Sequence, residues 1–192
     1  MNSHNAVSSL AAFTEDDDLN VIIETPKGSR NKFNYDEKLG LYKLGGVLPA
    51  GAIFPFDFGF VPATTGGDGD PLDVLLLMDE PAFVGCLVES RLIGVIEAEQ
   101  TEEGNTVRND RLIAVAIKSR NHRDVNSLDD INEHLREEIV HFFVSYNESK
   151  GKVFEPLGQF GPARARQLVS EGMKRYRKAH ARSKTPRAAK RR

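Results

Sequence analysis

A single cysteine among 192 residues, Cys86, excludes an internal disulfide and leaves any thiolate metal cluster short of ligands. It reads as a small hydrophobe inside a strand. Long apolar runs are missing too, and stretches such as Val74-Leu75-Leu76-Leu77-Met78 fall far short of the roughly 20 residues that a bilayer span needs. The N-terminus has neither a basic segment nor an apolar segment of the secretory type, so a cytoplasmic address is expected, with no membrane contact. No repeat of about 20–50 residues recurs, which excludes solenoids and propellers. Acids vanish from the C-terminal end. From Lys174 onward there are ten Lys and Arg and no Asp or Glu, which leaves 16 bases against 28 acids in the rest of the chain. An acidic body suits a protein that collects divalent cations, while the basic end reads as a solvated tail or as a weak nucleic-acid contact.

What is present is an ordinary globular composition, 40% hydrophobic and 28% charged, on a chain of one-domain length. Residues 1–18, closing on Glu15-Asp16-Asp17-Asp18, show no period and are expected to form a flexible acidic arm. Residues 19–175 carry the folded domain and 176–192 the basic tail. Val21-Ile22-Ile23-Glu24 is a β-branched strand stopped by Thr25-Pro26-Lys27-Gly28. Residues 32–36 and 41–47 flank a Lys38-Leu39-Gly40 turn as a hairpin. Phe54 to Phe60 alternates strictly, which places four Phe rings on one face if the segment is extended, although Pro55 confines it to an edge or irregular strand. Further strands are expected at 72–78, 85–97 and 107–117. Ser127 caps a helix bearing Ile131, Leu135, Ile139, Phe142, Phe143 and Tyr146 at helical spacing. A second helix starts near Pro162, with Ala165, Leu168, Val169 and Met173 as its buried stripe. Many strands followed by two helices predict an α+β domain, a closed barrel with two helices packed outside.

The sharpest local signal is Asp68-Gly69-Asp70-Pro71-Leu72-Asp73 at the entry to a strand. Three carboxylates so close repel one another unless a cation lies between them. Oxygen donors on a turn shaped by Gly and Pro suit Mg²⁺ or a similar ion. An ordinary acidic turn is the commoner origin of such a cluster. A helix–loop–helix calcium site fails on spacing, because Asp73 stands where that loop requires Gly.

The Asp-Gly-Asp-Pro-Leu-Asp run resembles the signature of family I soluble inorganic pyrophosphatases. Val21 to Pro26 resembles that family's first core strand, Lys32-Phe33-Asn34-Tyr35-Asp36 its K-Y-E segment, and Phe54 to Pro62 its aromatic strand. Leu112-Ile113-Ala114-Val115, Asp124-Val125 and His141-Phe142-Phe143 with Tyr146 follow in the family's order, so the likeness spans roughly residues 19 to 175. The resemblance implies a five-stranded OB-like β-barrel, Mg²⁺ dependence, hydrolysis of pyrophosphate, and a homo-oligomer that is hexameric in bacterial members. It implies that Asp68, Asp70 and Asp73 serve the metal and that Asp70 is the catalytic group that orients water and takes its proton. Lys32, Arg111 and Tyr146 are implied as substrate-binding residues, with Glu24 supporting the metal and water shell.

Departures from the family pattern are as informative. Gly46 stands where the family has a phosphate-binding Arg, Asn34 where it has Glu, Phe58 where it has Tyr, and Asn147 where it has Lys. In the longer segment between Gly94 and Leu112, Asn109 and Gln100 occupy the register of two Asp ligands, with Glu102, Glu103 and Asp110 as candidate replacements. Strand alternation puts Asn109 and Arg111 on one face and Asp110 on the other. These losses predict hydrolysis slower than that of a complete site. The alternatives are a phosphohydrolase acting on an organic diphosphate, admitted by Gly46 and Phe58, and a non-enzymatic binding or assembly protein that keeps the fold.

Overall fold

The computed structural model describes residues 6–183, and the last nine residues of the basic tail lie outside it. Nine strands are described: β1 (Leu19–Thr25), β2 (Asn31–Asp36), β3 (Leu41–Val47), β4 (Asp57–Phe60), β5 (Asp73–Leu77), β6 (Leu87–Glu102), β7 (Asn105–Arg108), β8 (Arg111–Ala116) and β9 (Val153–Phe160). Two helices accompany them, α1 (Glu133–Glu148) and α2 (Pro162–Ser183). Strand pairing runs β1–β4–β5–β8–β6, and β6 pairs back onto β1, so five strands close into a ring. This is the α+β, OB-like arrangement expected from the sequence. The β2–β3 hairpin forms its own sheet, and β7 and β9 extend the far end of β6. Among the described residues no helix is long and apolar enough to cross a membrane.

Both faces of the ring are covered, and the strand period sorts the side chains between them. Val74 and Leu76 of β5 join Leu112 and Ala114 of β8 in a cluster with Ala165, Leu168 and Val169 of α2. Their neighbours Leu75, Leu77, Ile113 and Val115 join the other cluster, which holds Ile139 and Phe143 of α1. β5 and β8 run parallel, the one parallel pair among the described strands, and the near-continuous apolar run of each follows from burial on both faces.

Several expectations need correction. The segment from Phe54 is a strand only from Asp57, because Pro55 cannot donate to a ladder. Its four rings do not share a face: Phe54 and Phe58 sit in the α1 cluster, whereas Phe60 stacks on Tyr35 with centroids 5.9 Å apart. Ser127 caps a short 3-10 turn, Leu128–Asp130, and Asn132 caps α1 itself, accepting from the His134 amide at 2.9 Å. The strand foreseen at 107–117 is two, broken at Asn109-Asp110. β9 was not foreseen. It carries Pro156 and Gly158, is mostly exposed, and pairs with β6 across a register shift, so it shows neither alternation nor an apolar run. The acidic stretch before Leu19 is not an arm over residues 11–18. Ala12 is fully buried, its carbonyl accepts from the Asn20 amide at 2.9 Å, and Asp17 pairs with Arg166 of α2. α2 itself continues past residue 175 to Ser183.

Gly59 marks the closest approach within the ring. A Cβ there would collide with the Ile22 carbonyl oxygen and lie 2.8 Å from its carbon, and this is backbone that cannot swing aside. Gly59→Ala is expected to cost about 3 kcal/mol, the upper end for overpacking, read as a lower urea midpoint. A second check concerns Asp79, which clips the loop after β8 by accepting from Ser119 Oγ at 2.6 Å, from the Arg120 amide at 2.9 Å and from the Asn121 amide at 3.1 Å. The Ser119 hydroxyl first, and then these amides, hold the carboxyl at about 2, below its ordinary 3.8. A depressed acid contributes stability that is complete above its ordinary value and is lost as pH falls through the folded one. The difference in unfolding midpoint between the native chain and Asp79→Ala should therefore be constant near neutrality, shrink below about pH 4, and vanish near pH 2.

Candidate active site

A cleft of about 1040 Å³ opens where the mouth of the ring meets the β2–β3 hairpin and the end of α1. The loop into β5 is built to carry carboxylates. Thr64 Oγ1 donates to the Val61 carbonyl at 2.7 Å and accepts from the Leu72 amide at 3.1 Å, which fixes both ends of the loop. The Gly66 amide closes on the Asp70 carbonyl at 2.6 Å, and Asp68 Oδ1 accepts from the Asp70 amide at 3.1 Å. Gly69 bridges the two acids with φ at +96°, a value side chains rarely tolerate. Asp68, Asp70 and Asp73 all line the cleft, as do Glu24, Lys32, Arg111 and Tyr146.

Strand register explains the central contact. In the parallel β5–β8 pair, Asp73 stands beside Arg111, each the first residue of its strand. Arg111 Nη1 donates to the Asp73 carboxylate and to Asn109 Oδ1, and the Asn109 amide nitrogen donates to Gln100 Oε1 at 3.0 Å. The guanidinium lies over Phe143 and Phe154, 5.4 and 5.6 Å from their centroids. Glu24 of β1 pairs with Lys32 at 2.8 Å and accepts from the Tyr35 amide at 2.7 Å, which ties the hairpin to the ring. The Lys32 ammonium sits 4.4 Å from the centroid of Phe58, a cation–π contact at the position of the family's Tyr.

Of the candidate replacement acids, Asp110 turns away from the cleft. It accepts from the Ala98 amide at 3.1 Å and pairs with Arg108 at 2.7 Å. Glu102 lines the cleft but is held by Lys152 at 2.7 Å, and Glu103 occupies the hairpin tip with φ at 49°. Several cleft residues escaped the sequence reading as site residues, Lys38, Lys43, Lys150 and Lys152 among them. The available signal was spacing: Lys150 follows Tyr146 by four residues, one helical turn.

The electrostatics fit a small hard cation. Burial raises the Asp68 carboxyl above its ordinary range, and the charges of Asp73 and Asp70 raise it further, with Arg111 opposing. Such a group lacks positive charge nearby. Burial likewise raises Glu24 against the pull of Lys32. Tyr146 is pushed up to about 12, mainly by burial, so its phenol stays a donor. Among the described residues no three acid, His or Cys side chains gather closely enough to form a protein cage for an ion. An ion held here would need phosphate oxygens and water beside one or two of the carboxylates.

The comparisons agree with this geometry. Residues 21–177 match the family model described as inorganic pyrophosphatase. An inorganic pyrophosphatase of Synechocystis is 37% identical over 159 residues, 83% of this chain and 92% of the relative. One from Halalkalibacterium halodurans is 36% identical over 160 residues, 83% of this chain and 95% of its own. The crystal structure of the Thermus thermophilus inorganic pyrophosphatase superposes with a TM-score of 0.80 at 34% identity, covering 89% of this chain and 98% of that one. A ring that sets Asp68, Asp70 and Asp73 at the mouth of one cleft, and a match from strand β1 into helix α2, lead to one conclusion: this chain belongs to the inorganic pyrophosphatase family.

Proposed function

We propose that this chain hydrolyses inorganic pyrophosphate to two phosphates with Mg²⁺ as the cation, held by Asp68 and Asp73 with Asp70 beside them. The observation that carries the reading is the gathering of those three acids with Lys32, Arg111 and Tyr146 in one cleft. When bound, the ion neutralises phosphate oxygens and acidifies the water it holds. Asp70 orients the attacking water and takes its proton as the new P–O bond forms and the bridging P–O bond breaks. Lys32 and Arg111 hold phosphate oxygens by charge, and the Tyr146 phenol donates to one of them. Glu24 acts through Lys32, fixing where its ammonium stands. The homo-oligomer implied by the family and the cytoplasmic address expected from the sequence belong to the same proposal. Exposed apolar side chains outside the cleft, Leu41 and Val47 of β3 among them, support self-association.

A second reading, an organic diphosphate as substrate, draws on one specific observation. An added Cβ at Gly46 meets nothing within 4 Å, and Phe58 and Phe60 line the cleft beside the hairpin. Phosphate release from pyrophosphate and from nucleoside diphosphates, measured side by side, separates the two.

Asp70→Asn should lower pyrophosphate hydrolysis by about a hundredfold to ten-thousandfold, the range for one general base, with an unchanged unfolding midpoint. Chelation of divalent ions should abolish turnover reversibly, whereas Lys174→Gln should leave it intact. Retained hydrolysis in Asp70→Asn would remove Asp70 from the role. The native rate should also fall below that of relatives with a complete site, each lost contact being worth about 3 kcal/mol. Gly46→Arg together with Asn109→Asp should raise the rate by more than the product of the single changes, because both serve one charge network. A native rate equal to that of complete relatives would show that these departures are compensated.

A further inference from the structure

The cations of the cleft are not equivalent. Lys32 faces Glu24, Lys43 faces Asp36, Arg111 faces Asp73 and Lys152 faces Glu102. Each is matched by a carboxylate before any substrate arrives. Two cleft cations, Lys38 at the hairpin turn and Lys150, show no such ion pair among the described residues, and Lys150 is the one beside Tyr146. Its ammonium donates to the Tyr146 hydroxyl and lies 4.2 Å from the centroid of that ring, and among the described residues no ion pair to a carboxylate is seen for it. Burial lowers its pKa, and the charges of Lys32, Lys152 and Arg111 lower it further, with Asp73 opposing. These neighbours point to a positive charge crowded by others of its own sign and facing the same cavity.

Position 147 brings no cation of its own to the cleft. Asn147 is 2% exposed, and its amide nitrogen donates to the Phe143 carbonyl at 2.8 Å, so this side chain is spent inside the helix. The residue following Tyr146 therefore brings no charge to the cleft. Lys150 reaches the same phenol from just past the end of α1, where Ser149 and Lys150 close the last turn through their amides. The phenol fixes the ammonium beside a hydroxyl that stays protonated, so Tyr146 and Lys150 present two donors side by side.

We propose that Lys150 is a substrate-binding residue, which takes a terminal phosphate of the pyrophosphate anion together with the Tyr146 hydroxyl and supplies the charge that Asn147 does not. The inference rests on the pyrophosphate reading of the cleft. An anion entering there relieves the repulsion among Lys150, Lys32, Lys152 and Arg111, whereas the paired cations must share their charge with an acid already present.

The test uses the full chain with Mg²⁺ and methylenediphosphonate, a non-hydrolysable analogue, titrated by calorimetry, with pyrophosphate turnover measured in parallel. Lys150→Gln should weaken analogue binding about tenfold, the loss expected for one charge-assisted contact. KM should rise with kcat changed less, and the thermal midpoint should hold. Lys150→Arg should restore most of the affinity, and Lys174→Gln should match the native chain. Native affinity in Lys150→Gln, with hydrolysis by the native chain established, overturns this inference and leaves the proposed function standing. A native chain that neither binds the analogue nor turns over pyrophosphate overturns both.

Discussion

The pairing of β5 with β8 in parallel is the constraint from which the rest of the molecule follows. Parallel neighbours both start at the same end of the ring, so the first residues of the two strands, Asp73 and Arg111, meet there. Behind them the strands are buried on both faces, which anchors this charged pair to the most rigid part of the protein. The acidic loop ends on one strand, and the Asn109–Gln100 amide pair leads into the other. A hairpin pairing could not have brought these two loops together, because antiparallel neighbours start at opposite ends.

Charge balance is the second theme. The cleft gathers carboxylates from β1, the 66–70 loop and β5, and cations from β2, β8 and the segment after α1. Most of these groups are already paired across elements, and the pairs hold the cleft in shape without substrate. Glu24 shows the principle, with one carboxylate oxygen on the Lys32 ammonium and the other on the Tyr35 amide. What stays uncompensated is local: an acid surplus at Asp68 and a base surplus at Lys150. A metal–phosphate complex carries both signs and matches that division.

Much of this was legible in the chain itself. The Asp-Gly-Asp-Pro-Leu-Asp run was legible through its likeness to a family signature, since on its own it reads as an acidic turn. The apolar stripe of α2 was legible for the usual reason, a helical period with one buried face. β9 was not, since an exposed edge strand with Pro156 and Gly158 gives no alternation to read. The direction of Asp110 was legible too, since alternation sets it opposite Asn109 and Arg111, and its pairing with Arg108 holds it there. Lys150 was only half legible: its spacing from Tyr146 could be read, but the inward turn of Asn147 is a matter of packing.

The seat of Arg111 on Phe143 and Phe154 has a mechanical consequence. Arg111 as a residue is only 4% exposed, and its guanidinium lies over two rings of the hydrophobic interior, one on α1 and one on β9. Asp73 and Asn109 at the cleft fix its edge by hydrogen bonds, so plane and edge are both set from within the protein. An anion bound there as proposed would meet a plate of charge whose position is set before it arrives.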